Sequence, residues 1–310
     1  MDAEFNRTYI TLGGYVGVDK HGYLYFVILL ALYLLILCTN LTIICVICIH
    51  RNLHEPMYIF IAALSVNSIL FSTTIYPKLF IDVLSQRQII SHSACMFQSF
   101  MFYSLTGSDF LLLSAMAYDR YVSICKPLQY PTIMGRITVT VLLALAWFIP
   151  ALEVAVAIAI NSKQKLCDFT TDGIFCNNKL FKLYCVQSTV LNVYGLIFIV
   201  NAAVIPVIFI LFTYVKIFII TYHSCVEVRK KAAETCLPHL MVLIFCLFLS
   251  VFDAISARLD SDLPKSVNLI MSLQIVVYGP LFNPILYGVK MKEISKHIKR
   301  LLCQPMTKSI

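Results

Sequence analysis

From Leu24 to Ile49 the chain carries no charged side chain, and an apolar helix needs only about 20 residues to cross the hydrocarbon core of a bilayer. A run of that length has no place in a water-soluble domain of this size. It also recurs. Apolar stretches read as helices at Leu24–Ile49, Met57–Leu84, Ala94–Ile124, Thr138–Ile160, Thr189–Tyr222, Leu237–Ala257 and Val267–Val289, each bounded by charged, Pro or Asn-rich segments. With 60% hydrophobic and 13% charged residues over 310 positions, lipid must be the solvent. The expected fold class is an all-α membrane protein, a seven-transmembrane-helix bundle.

The net charge of +8 would point to nucleic acid in a soluble protein. Here the basic residues gather in short loops: Arg51, then Lys126 and Arg136, then Arg229, Lys230 and Lys231, and after the last span Lys290, Lys292, Lys296, Lys299 and Arg300. Under the positive-inside rule these loops and the C-terminus face the cytoplasm, and no nucleic-acid partner is expected. Lys163, Lys165, Lys179 and Lys182 on the opposite side make the asymmetry moderate. The sequon Asn6-Arg7-Thr8 agrees, because glycosylation at Asn6 requires an extracellular N-terminus. Asn40-Leu41-Thr42 also matches but lies mid-membrane and should be inert. The opening Met-Asp-Ala-Glu lacks the basic start of a signal peptide, so the first helix is expected to serve as the insertion signal.

The expected organisation is an extracellular N-terminus over 1–23, a seven-span domain over 24–289, and a cytoplasmic helix and tail over 290–310. In that last segment Ile294, Ile298, Leu301 and Leu302 alternate with Lys292, Lys296, Lys299 and Arg300, the pattern of a short amphipathic helix on the inner leaflet. Cys303 follows, where palmitoylation and a plain juxtamembrane thiol are both open readings. Most of the twelve Cys lie in apolar helices as small packing residues. Cys95, Cys167, Cys176 and Cys185 stand in polar sequence, as disulfides in an oxidising exterior would, and four Cys permit three pairings. Without paired CxxC spacing or nearby His, a metal site is not expected.

A polar group inside hydrocarbon costs several kcal/mol unless paired, so each one is informative. The third span ends Met116-Ala117-Tyr118-Asp119-Arg120-Tyr121-Val122-Ser123-Ile124-Cys125, an acid beside a base at the inner boundary. Neighbours on a helix point about 100° apart, so Asp119 should hold Arg120 loosely while Arg120 reaches toward another helix. A latch and simple snorkelling of both groups are equally compatible with that placement.

This segment resembles the odorant-receptor signature at the inner end of the third helix. Leu53-His54-Glu55-Pro56-Met57-Tyr58 looks like the family's opening of the second helix, and Pro77-Lys78 its close. Lys231-Ala232-Ala233-Glu234-Thr235-Cys236-Leu237-Pro238-His239-Leu240 is similar to the family's start of the sixth, and Asn283-Pro284-Ile285-Leu286-Tyr287 to the seventh-helix motif of rhodopsin-like receptors. With Asn40 in the first span, the landmarks run through the whole chain, and the fish-like or class I branch is the nearest in pattern.

The resemblance implies that Asp119, Arg120 and Tyr121 restrain the inactive state and face the G protein, that His239 stands at the inner start of the sixth helix, and that Tyr214 and Tyr287 hold the open cleft. Pro284 removes a helix hydrogen bond beside Asn283 and leaves a bend where a helix can switch; Pro206 and Pro238 allow the same. The resemblance further implies bridges Cys95–Cys176 and Cys167–Cys185, shaping an extracellular lid. Asp109 stands where the family usually has Glu, with Ser68 and Asn67 near the place of its acidic partner, which disfavours a sodium-type site and leaves Asp109 protonated or bonded to Ser68. Glu153 has two readings, an interhelical hydrogen bond or a pocket acid. Leu247 replaces a common aromatic and Pro238 a common Ser, so the inner trigger of the sixth helix differs here.

By the same resemblance a small-molecule odorant lies between the outer halves of helices three, five, six and seven. The inward candidates are Phe102, Tyr103, Thr106 and Gly107; Tyr194, Phe198 and Ala202; Ser250 and Ala254; Leu273 and Val276. Each aromatic has core packing as its rival reading. Arg258 could hold an acidic odorant through a bidentate guanidinium, or simply pair with Asp253, Asp260 and Asp262.

The implied function is an odorant receptor at the plasma membrane that activates a stimulatory, olfactory-type G protein, with no enzymatic activity and no cofactor. The alternatives are a non-olfactory small-molecule receptor of the same family, and a seven-span transporter, which would favour midplane charge pairs and repeated halves. A retinal protein would need a Lys between Val267 and Val289, where none lies. An amine receptor would want an acid in Phe100–Gly107, which has none.

Overall fold

The computed structural model describes residues 9–161, 164–186, 189–222, 226–258 and 264–303, apart from the side chains at 227, 228, 231–235, 238, 255–258, 289, 290, 292 and 301–303. Asn6, Lys163, the Arg258 and Pro238 side chains and that of Cys303 therefore lie outside the description.

The chain forms helices α1 (Val18–Ile49), α2 (Pro56–Leu84), α3 (His92–Cys125), α4 (Arg136–Asn161), α5 (Thr189–Tyr222), α6 (Val226–Arg258), α7 (Lys265–Lys290) and α8 (Lys292–Cys303). Among the described residues, six of the first seven contain an apolar stretch long enough to cross a bilayer. In the remaining one, α6, the described side chains include the apolar stretch His239–Ala254. Together they make the seven-helix membrane bundle.

Local chemistry sets the helix ends. Gly17, at φ 68°, takes the left-handed conformation that starts α1 six residues ahead of the expected Leu24. Pro56 opens α2, where its missing N–H is no loss. Ser91 caps α3 by accepting from the Ala94 amide at 3.3 Å. Midway in α5, Pro206 has no N–H to offer the carbonyl four residues back, and Val200–Val204 widens into a π turn just before it.

The proline in α7 is compensated from another helix. Pro284 leaves the carbonyl of Pro280 without its intrahelical donor, and the Asn40 side-chain amide of α1 donates to that oxygen at 2.9 Å. Close packing of α3 on α4 depends on Gly107: a Cβ there would lie 2.8 Å from the Pro150 Cβ.

The all-α expectation missed a small sheet at the disulfide end. Strand β1 (Tyr9–Leu12) pairs antiparallel with β2 (Ile89–Ser91), with Ile10 opposite Ile90, and parallel with β3 (Thr170–Thr171), with Leu12 opposite Thr171. Ile10 and Leu12 turn inward onto a cluster with Ile90, Leu180, Leu183 and the Cys95–Cys176 bridge. The larger core lies toward the opposite end, where Leu53, Phe60, Leu64, Leu112, Leu113 and Met116 are buried with Tyr287 of α7 and Ile294 of α8.

Candidate functional site

In the disulfide half, α3, α5 and α6 stand apart around a cavity of about 930 Å³, within the size range of small-molecule sites. Phe102, Tyr103, Thr106 and Gly107 of α3 line it, as do Tyr194, Phe198 and Ala202 of α5 and Ser250 and Ala254 of α6. Its floor is formed by Asp109, Phe110, Cys246 and Leu247. The α7 wall differs from expectation. Ile275, Gly279 and Pro280 of α7 line it, while Val276 is buried in, and Leu273 packs against, the neighbouring cluster of Leu29, Ile36, Phe71, Ile75 and Tyr76, which shares Phe71 with the cavity.

The polar groups around the cavity are bonded to one another. Tyr103 donates to Asp253 Oδ2 at 2.9 Å and accepts from the Asn178 amide at 2.7 Å. The Asn177 side chain donates to Asp253 Oδ1 at 2.9 Å and that of Asn178 to Oδ2 at 3.4 Å. This clasp ties the loop helix Asn178–Leu183 to α3 and α6. Asp253 is an acid at the cavity that the sequence reading named only among the possible partners of Arg258, whose side chain lies outside the description. It shares a helix face with Ser250 and Ala254 by i+3 and i+4 spacing, and that was the available signal. Beside it, burial lowers the pKa of Lys179, partly offset by the charges of Asp253 and Asp172.

Asp109 does not bond Ser68, whose hydroxyl donates to the Leu64 carbonyl of its own helix at 3.0 Å. Asn67 takes that place: its amide donates to Asp109 Oδ1 at 2.7 Å and to the Leu105 carbonyl at 2.9 Å, while its oxygen accepts from Trp147 Nε1 at 3.1 Å. One amide thus joins α2, α3 and α4. Glu153 makes an interhelical bond, accepting from Asn201 Nδ2 at 3.0 Å, and Tyr194 donates to the Glu153 carbonyl at 3.0 Å.

The roof carries both disulfides, Cys95–Cys176 and Cys167–Cys185. The Ser99 hydroxyl donates to the Cys176 carbonyl at 3.1 Å, and Gln98 Oε1 accepts from the Cys176 amide at 2.9 Å. Tyr15 donates to Asp82, which Lys78 also contacts, and lies within bonding distance of the Ile174 carbonyl. Burial, then the Asp82 charge, raises the Tyr15 phenol well above its usual pKa.

At the other end of the same helices Arg120 folds back onto Asp119 rather than reaching across. Its Nε and Nη2 donate to Asp119 Oδ2 at 3.0 and 2.6 Å, and Tyr130 donates to Oδ1 at 2.8 Å. The loose pairing expected from helix geometry is corrected here, because the long guanidinium arm spans the angle between neighbouring positions and the carboxylate is fully buried. Burial and the Asp119 charge raise the Tyr130 pKa. Tyr214 of α5 hydrogen-bonds His239 of α6, while Asn283 and Tyr287 are buried in α7 and Tyr121 packs against the same core.

A seven-helix membrane bundle with an apolar cavity at one end of three helices, and a buried acid–base pair on one of them at the other end, has the build of a receptor for small molecules. Residues 29–305 match the olfactory receptor family. The chain is 32% identical to human olfactory receptor 11A1 over 307 residues, covering 98% of this chain and 96% of that protein. It is 34% identical to human olfactory receptor 51E1 over 305 residues, covering 96% and 94%, and 32% identical to olfactory receptor-like protein OLF4 of the dog over 276 residues, covering 87% of each. The chain belongs to the olfactory receptor family, G-protein-coupled receptors without enzymatic activity.

Proposed function

We propose that the chain is an odorant receptor of the plasma membrane that binds a small molecule in the cavity between α3, α5, α6 and α7 and activates a stimulatory, olfactory-type G protein. One observation carries the reading. The helices that line the cavity also carry Arg120, Tyr214 and His239 at their far ends, so a ligand that draws α5 or α6 inward at one end shifts the contacts at the other. In this reading the disulfide end and residues 1–23 face outside, residues 24–289 form the receptor domain, and 290–310 lie in the cytoplasm. The basic loops and the Asn6 sequon support that orientation.

Phe102, Tyr103, Thr106, Gly107, Tyr194, Phe198, Ala202, Ser250 and Ala254 are the proposed ligand wall, with Ile275 replacing Leu273 and Val276 on α7. Asp119, Arg120, Tyr121, Tyr214, His239, Asn283, Pro284 and Tyr287 are the proposed coupling residues. Freed from Asp119, Arg120 presents a guanidinium to the G protein. The test is a cAMP reporter in cells expressing the receptor, screened with fatty acids, amino acids, steroids and amines. An agonist is expected to raise cAMP, and Arg120→Ala, at equal surface expression, to abolish the response. An unchanged response in that variant would sink the coupling mechanism.

A further inference from the structure

The cavity wall is slotted on one side. Leu196, Val204 and Ile208 of α5 recur at helical spacing, line the cavity, and are 41% to 60% exposed. Val251 of α6 lines the same cavity and is 52% exposed. A side chain that touches an interior cavity and still leaves about half its surface open marks a gap rather than a closed seam between helices. Local sequence accounts for it. Ala203 on α5 and Ser250 and Ala254 on α6 put little side-chain bulk on the cavity side of these helices, and the π turn at Val200–Val204 breaks the regular ridge of α5.

The contrast with the disulfide end is chemical. There the roof is pinned by a bridge to α3, by Tyr15 to Asp82 and by the Asn177 and Asn178 bonds to Asp253, and a ligand arriving that way meets charged and amide groups. The slot opens instead onto hydrocarbon, and Leu196, Val204, Ile208 and Val251 give it an uncharged lining.

We propose that the ligand of this cavity is an uncharged, lipophilic small molecule that dissolves first in the bilayer and reaches the cavity sideways, through the slot between α5 and α6. The inference rests on reading the cavity as the ligand site. A charged molecule taking this path would lose several kcal/mol of hydration, whereas a lipophilic one is concentrated by the membrane at the opening itself.

The full chain, purified into phosphatidylcholine vesicles, is supplied from donor vesicles with hexadecanol bearing a diazirine in its chain, and irradiated at successive times. Label is expected on the inner wall of α3, at Tyr103, Thr106 and Gly107. The pair Leu196→Trp and Val251→Trp is expected to slow that labelling about tenfold, while labelling of Leu34 and Leu35 on the exposed side of α1 keeps its rate. The pair Leu196→Ala and Val251→Ala is expected to label α3 at least as fast as the unsubstituted chain. An unlabelled α3 in the unsubstituted chain, an unchanged rate in the Trp pair, or equal slowing by the Ala pair would overturn the proposal. No G protein takes part in this readout. A chain that never raises cAMP can therefore pass, and a signalling receptor can fail, so the two readings fall separately.

Discussion

Toward Arg120, the helices meet through side chains such as Phe60, Leu64, Leu112, Leu113 and Met116, which have essentially no exposed surface. Toward the disulfides, α3, α5 and α6 diverge around about 930 Å³ and are held by polar bonds between the roof and Asp253. The difference teaches where the fold's stability resides and where its adaptability does. Close-packed apolar contacts give one half a single arrangement, whereas a cavity bordered by hydrogen-bonded groups lets the other half change its contents without repacking the core.

The sharpest way to break this comparison is to truncate one phenylalanine in each half. Phe60→Ala is expected to lower unfolding stability by about 3–5 kcal/mol, since it opens a new void in a filled region. Phe198→Ala, which enlarges a space already present, should cost about 1 kcal/mol. Denaturant unfolding of purified receptor measures both, and equal losses would mean that the two halves are packed alike.

A smaller effect is expected from the polar nodes. Asn67→Ala strands the Asp109 carboxyl and the Trp147 indole together, and should cost about 1–3 kcal/mol. Asp253→Asn keeps an acceptor oxygen and should cost about 0.5–1.5 kcal/mol. The reverse order in the same assay would place the greater share of the load on the roof. Least in energy is the assignment of the α7 face. Ile275→Ala is expected to shift agonist potency about 3- to 10-fold, some 1 kcal/mol, while Leu273→Ala should leave potency unaltered and lower thermal stability. Potency tracking Leu273 instead would reverse the face.

The spans were legible in the sequence because hydrocarbon enforces long uncharged runs, and Asp119-Arg120 stood out because charge is rare beside them. The sheet was not, since four-, three- and two-residue strands leave too short a period to detect, and only the alternation of Ile10 and Leu12 hinted at it. On α7 the choice among Leu273, Ile275 and Val276 could not be made from composition, because all three are apolar and the helix has neighbours on both sides. The bonds of Asp253 to the roof were hidden from the sequence for a related reason. Its nearest charges in sequence lie on its own helix and the loop beyond, whereas its partners Asn177 and Asn178 approach from a loop some 75 positions away.

The bond from Asn40 to the Pro280 carbonyl has a mechanical consequence. Pro284 weakens α7, but the weak point is braced by an amide on a helix that contributes no residue to the cavity wall. Any sliding or straightening of α7 must first break that brace, so α1, which lines no part of the cavity, sets the stiffness of α7 at its weakest turn.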